Sequence, residues 1–156
     1  MMIVLRGDLL KTPFQIIAHQ VNCKGVMNGG LAKQIRKKYP SVYKDYIGSL
    51  TPPCGRGADY MFGKCQIVGG VEDFHVIVNL FGQYDYGTDK QYTNYQKLKS
   101  ALVEMASIIT RDIDYQLVVA IPYGLGCGLA GDWSVVRHIL EEIECSYNVL
   151  FVAYRL

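Results

Sequence analysis

A chain of 156 residues and 17.5 kDa has the size of one domain, residues 1–156, and with half its residues hydrophobic and 19% charged it is neither a disordered chain nor a fibre. A formal net charge of +2 is too mild to declare a nucleic-acid or membrane partner, and no apolar run approaches the ~18 residues of a membrane span. The N-terminal residues lack the pattern of a signal peptide, and five cysteines, an odd number without the two-residue gap of a zinc or redox pair, read as free thiols of a reducing, cytoplasmic compartment.

In chain order, strands and helices alternate. Residues 2–6 form a short apolar strand ending at Gly7-Asp8, and residues 15–21, rich in β-branched side chains, form a second. A glycine-broken loop, 22–30, follows. A helix starts at Leu31, with Leu31, Ile35 and Tyr39 on one stripe and Lys33, Arg36 and Lys37 off it, and Pro40 ends it. Residues 41–47 add one or two helical turns, and 51–59, with two prolines and two glycines, form a loop. Residues 65–71 and 75–80 read as strands joined by a turn at Glu72-Asp73. The tyrosine-rich stretch 81–91 is a loop long enough to cover a site. Thr93 or Asn94 caps a long helix whose stripe is Tyr95, Leu98, Leu102, Met105 and Ile109. The apolar run 116–121 suits a central strand, glycine-rich residues 122–131 lead into a helix from Trp133 to about Ile143, and 148–154 is the last strand. This order predicts a three-layer α/β/α sandwich on a mixed, mostly parallel sheet of about six strands, with ligands beyond the carboxyl ends of the strands.

The informative feature is a pair of strand–loop–helix units. One runs from Ile16 through Asn22, Asn28, Gly29 and Gly30; the other runs from Leu117 through Pro122, Gly124, Gly126, Cys127, Gly128, Leu129 and Gly131. A glycine loop before a helix N-terminus exposes backbone N–H groups that suit phosphate oxygens. Two in one domain point to a ligand with two phosphates, or a phosphate and a ribose. Neither matches the P-loop or the dinucleotide fingerprint.

These residues resemble the macrodomain family of ADP-ribose-binding modules. The resemblance rests on Arg6-Gly7-Asp8-Leu9, residues 19–32, Ile121-Pro122 with residues 124–133, and residues 152–156. It is greatest to the small, tail-less branch of ADP-ribose 1''-phosphate phosphatases, terminal ADP-ribose glycohydrolases and DNA ADP-ribosyl glycohydrolase antitoxins. It implies that Asp8 accepts the adenine amino group beside Leu9, and that Asn22, Asn28, Gly29 and Gly30 line the distal ribose and adjoining phosphate. Gly126, Cys127, Gly128 and Leu129 would wrap the diphosphate, and Tyr154 would lie against adenine. Each has a plainer reading: a loop-capping Asp8, an Asx-turn Asn22 and a half-buried strand Tyr154. For water activation the candidates are His19 and Asp132. His19 is either a satisfied core histidine or a group presented at the strand end; Asp132 is either a helix cap or a holder of water.

The family's glycohydrolases carry a lysine near position 83, where this chain has Gln83, and sequence distance argues against Lys90 replacing it. The phosphatase-like members lack that lysine, so the resemblance implies a hydrolase removing phosphate from ADP-ribose 1''-phosphate. ADP-ribosyl hydrolysis on protein or nucleic acid, or a non-catalytic reader, are the alternatives. No cofactor or metal is implied. A single-strand nucleic-acid module using the basic helix 33–44 is a third reading with thin charge support.

Overall fold

The computed structural model describes residues 2–128 and 131–156. Six strands form one sheet: β1 (Ile3–Arg6), β2 (Ile16–Val21), β3 (Cys65–Val68), β4 (Val76–Phe81), β5 (Leu117–Pro122) and β6 (Val149–Arg155). Their order is β1-β6-β5-β2-β4-β3, with β3 antiparallel to β4 and the other pairs parallel. The helices are α1 (Gly30–Lys38), α2 (Pro40–Leu50), α3 (Ala58–Met61), α4 (Tyr95–Ile109) and α5 (Trp133–Ser146). Among the described residues no helix is long and apolar enough to cross a membrane.

Strand alternation sorts the core into two layers. Ile16 and Ala18 of β2, with Val78 and Leu80 of β4, pack under α4 and α5 against Leu98, Leu102 and Leu140. Ile17 and Ile77 face the other way, against Ile35, Tyr39 and Val42 of α1 and α2. Further along the same face, Val21 and Phe81 meet Met27, Tyr46 and Met61. The expected α/β/α sandwich is thus the observed one.

The differences from expectation have local causes. Tyr39, disfavoured from helical backbone by the following proline, closes α1 at φ −125°, ψ 76°, and Pro40 opens α2 at its first position. Helix α2 runs for 11 residues because Val42 and Tyr46 both reach the core. Strand β3 stops at Val68, before Gly69-Gly70. Asn94 is the α4 cap, its side chain accepting from the Lys97 amide.

Candidate functional site

A cavity of about 490 Å³ opens at the carboxyl ends of the central strands. It lies where the chain, having crossed from β2 to β4 on one side, returns to β5 on the other, the crevice that open α/β sheets leave for ligands. Its volume suits a ligand of nucleotide size. Residues 19–22 at the end of β2 form the floor, residues 28–29, Pro122 and residues 124–128 the flanks, and Gln83 with residues 86–88 and 90–93 the remaining wall.

The first flank is a bare helix start. Gly29 occupies the α1 N-cap in extended backbone with no side chain to close it, so the first amides of α1 keep their hydrogen-bonding capacity and the helix dipole adds partial positive charge. Gly29 and Gly30 would each place a Cβ in open space. Asn22 stands behind this loop, engaged with it. Its side-chain oxygen accepts from the Lys24 amide (2.9 Å) and the Val26 amide (3.4 Å), and its amide nitrogen donates to the Val26 carbonyl (2.8 Å). The Asx-turn reading therefore describes the structure.

Tyr46 locks this turn, and sequence reasoning missed it. Fully buried, its hydroxyl donates to Asn22, whose carbonyl and side-chain oxygens both lie 2.8 Å away, and accepts from the Gly25 amide at 3.1 Å. The available signal was its place four residues after Val42 on one helical stripe. Tyr46→Phe is expected to cost about 1–3 kcal/mol by leaving the Gly25 N–H unpaired, measured by urea denaturation.

The second flank alternates glycines in left-handed backbone, with φ of +77°, +71° and +52° at Gly124, Gly126 and Gly128. The Leu125 and Cys127 amides close turns onto Pro122 and Gly124. Gly126 and Gly128 donate to no described backbone carbonyl. Such a run of amides makes an anion-binding concavity. Burial raises the Cys127 thiol above its ordinary pKa, which favours the protonated form. Leu129 lies outside the described residues.

A polar bridge ties this loop to the wall. Gln20 donates to Gln83 (2.7 Å) and Thr93 (2.8 Å), and the Thr93 hydroxyl donates to the Gly126 carbonyl. The Gln20 side-chain oxygen is buried without a partner among the described residues. Gln83 also donates to the Asp85 carbonyl (3.0 Å), so its oxygen and its nitrogen each have a protein partner. Sequence distance argued against Lys90, but the segment turns back through a Gln83–Thr93 bridge and Lys90 borders the cavity.

His19 lies on the cavity floor yet is only 2% exposed. Its partner Asn79 is its register mate on β4. A relay assigns the imidazole tautomer: the Asp45 carbonyl can only accept, so the Gln66 amide nitrogen faces it (2.9 Å). The Gln66 oxygen then accepts from the Asn79 amide nitrogen (3.0 Å), leaving the Asn79 oxygen to accept from His19 Nε2 (2.7 Å). The proton is thus assigned to Nε2, and Nδ1 keeps its lone pair. Burial lowers the His19 pKa to about 4, so the ring is neutral at pH 7.

Five expected site residues lie outside the cavity lining: Gly30, the first residue of α1, and Asp132, Asp8, Leu9 and Tyr154. Asp132 is exposed and caps α5, its carboxylate accepting from the Ser134 amide (2.9 Å) and hydroxyl (2.6 Å). Those bonds hold its pKa below the ordinary carboxylate range. Asp8 is exposed, with Oδ1 accepting from the Leu10 amide (3.0 Å). Leu9 is buried beneath it in the α1–α2 core. The Tyr154 ring packs on that core, and its hydroxyl bonds Thr12 at 2.7 Å. Asp8, Leu9 and Tyr154 lie toward the β1–β6 side of the sheet, where Tyr154 is the register mate of Pro122 at the cavity border. Among the described residues no group of three His, Cys, Asp or Glu could hold a metal.

No family profile matches the chain. An ADP-ribose 1''-phosphate phosphatase of Saccharomyces cerevisiae is 29% identical over 177 aligned positions, spanning 97% of each chain. A DNA ADP-ribosyl glycohydrolase of Mycobacterium tuberculosis is 30% identical over 139 positions; that alignment covers 86% of this chain and only 36% of the longer relative. The solved macrodomain of Mycobacterium tuberculosis DarG superposes with a TM-score of 0.78 at 27% identity, covering 100% of this chain and 98% of that one. With the sheet order and the paired glycine loops, these similarities lead to one conclusion: the chain has the macrodomain fold and resembles macrodomain proteins along its whole length.

Proposed function

We propose that the cavity binds ADP-ribose and that the chain hydrolyses ADP-ribose 1''-phosphate to ADP-ribose and inorganic phosphate. The observation that carries this reading is the pair of glycine flanks turned to one cavity, on a chain similar along 97% of its length to a phosphatase of that substrate. In this reading the Gly126, Cys127 and Gly128 backbone cradles the diphosphate, with Leu129 completing the loop. Asn28, Gly29 and Gly30 take the distal ribose and its phosphate, and Asn22 holds their loop in shape. Asp8 offers its second carboxylate oxygen to the adenine amine above Leu9, with the Tyr154 ring at the base. Water adds to phosphorus, the bond to the ribose oxygen breaks, and that oxygen takes up a proton. His19, neutral with Nδ1 unprotonated, accepts a hydrogen bond from the water or from a ribose hydroxyl. Asp132 contributes by capping α5 and by its negative charge at the loop's end.

A second reading, release of ADP-ribose from a modified macromolecule, is favoured by Lys90 in the cavity wall, a cation where Gln83 offers none. The single six-stranded sheet supports treating the chain as one domain, and its five free cysteines support a reducing compartment such as the cytoplasm.

The test measures phosphate release from ADP-ribose 1''-phosphate beside ADP-ribose release from a modified protein, with calorimetry of ADP-ribose. Phosphate release with ADP-ribose as product is the expected result. Binding without either release would make the protein a reader, and no binding at millimolar ADP-ribose would remove the reading altogether.

A further inference from the structure

Asn28 borders the cavity, but its side chain is held from outside it. The Arg36 guanidinium lies 3.8 Å from the Tyr43 ring centroid and donates to Asn28 Oδ1 at 3.1 Å. The Tyr43 hydroxyl in turn donates to the Gly25 carbonyl at 3.4 Å, so the ring under the guanidinium is tied to the same loop that carries Asn28. Helices α1 and α2 thus grip this loop twice, with Tyr46 at Asn22 and the Tyr43–Arg36 pair at Asn28.

The direction of that bond fixes what Asn28 can do. A guanidinium has donors and no acceptor, so Asn28 Oδ1 is the atom that faces Arg36. Nδ2, on the other branch of the amide, has no hydrogen-bond partner among the described residues. Arg36 lines a depression outside the cavity and not the cavity itself, so the oxygen is turned outward. The nitrogen, with two N–H groups, is the branch left for a cavity ligand, beside the uncapped first amides of α1. A corner of this kind only donates. It suits a charged phosphate oxygen, which accepts bonds roughly twice as strong as a neutral hydroxyl accepts.

We propose that Asn28 is a specificity-determining residue, selecting a phosphate monoester over a free hydroxyl on the distal ribose, and that Arg36 is the positioning residue that keeps the Asn28 amide donor turned to the cavity. The inference rests on the ADP-ribose reading of the cavity and adds to it a reason for substrate to displace product. The two carry the same diphosphate and adenosine and differ only at this phosphate, so the diphosphate loop cannot tell them apart.

The test uses the full chain and measures preference, the ADP-ribose inhibition constant divided by KM for ADP-ribose 1''-phosphate. Should no phosphate be released, the same ratio is taken from the two dissociation constants by calorimetry. Asn28→Asp, which sets an anionic oxygen where Nδ2 stands, is expected to lower preference on the order of 100-fold, and Asn28→Ala about tenfold, through KM rather than kcat. Arg36→Leu keeps an apolar stem on Tyr43 but frees the Asn28 amide to turn, and should lower preference about fivefold. The double variant Asn28→Ala/Arg36→Leu decides how Arg36 acts. Action through Asn28 leaves the double variant within about twofold of Asn28→Ala, whereas a charge acting directly on the phosphate makes the two losses multiply to about 50-fold and overturns the positioning role. Because both side chains are exposed, every variant should keep the parent's urea midpoint. Parent-like preference in Asn28→Asp, or an equal loss of affinity for both ligands, would overturn the selectivity. If the parent fails to bind ADP-ribose, the cavity reading falls and this inference with it; if the parent binds and the variants keep its preference, this inference alone falls.

Discussion

Gly126→Val is expected to weaken ADP-ribose binding at least 100-fold by calorimetry, about 2.7 kcal/mol. Two causes act together. Gly126 has φ +71°, a left-handed conformation that a β-branched residue adopts only under strain. A Cβ there would lie 3.0 Å from Leu98 Cδ2 and 3.1 Å from Gln20 Oε1, so either those side chains give way or the loop moves off the cavity floor. Its carbonyl, which accepts from Thr93, would move with it and loosen the bridge to Gln20 and Gln83. Gly128→Ala is the matched control: its φ of +52° is also left-handed, but its Cβ meets nothing within 4 Å. It should lose no more than about tenfold, from backbone conformation alone. Parent-like affinity in Gly126→Val would show that the diphosphate does not sit on this loop.

Acid is expected to weaken the fold through His19. The folded pKa of about 4 lies below the ordinary 6.5, so the unfolded chain binds the proton more readily. The stability that the buried neutral ring contributes is complete above pH 6.5 and is lost as pH falls toward 4. That lowering corresponds to roughly 3 kcal/mol at a ring only 2% exposed. Urea denaturation at pH 7, 5.5 and 4.5 measures it. His19→Gln, which retains a donor toward Asn79, should show a flatter profile across that window. Glu72, Asp73 and Asp132, whose pKa values are lowered, destabilise both proteins alike at the acid end, so the difference between the two profiles isolates His19. Parallel profiles would mean that the imidazole is hydrated in the folded state.

The strand–helix order and both glycine loops could be read from the residues, since periodicity and glycine placement are local properties. The β2 side of the cavity could be read only in part. Alternation leaves His19 between two readings because it says which face a side chain takes and not what that face meets. The answer came from β4, sixty residues away, whose register sets Asn79 beside it. Gln20 was a visible signal, a polar residue in a buried strand, but its partners Gln83 and Thr93 come from a wall that returns only after β4. Lys90 shows the same limit: seven residues separate it from Gln83 along the chain, yet both border one cavity.

By itself the sequence determined the alternating architecture, the two bare-backbone loops and the family resemblance those motifs carry, because each depends on residues close together in the chain. Tertiary structure alone decided that Asn22 is held by Tyr46, that Asp132 caps α5 outside the cavity lining, and that Arg36 takes the Asn28 side-chain oxygen. Those outcomes depend on which distant groups reach hydrogen-bonding or ion-pairing distance, and only the packed chain brings them there.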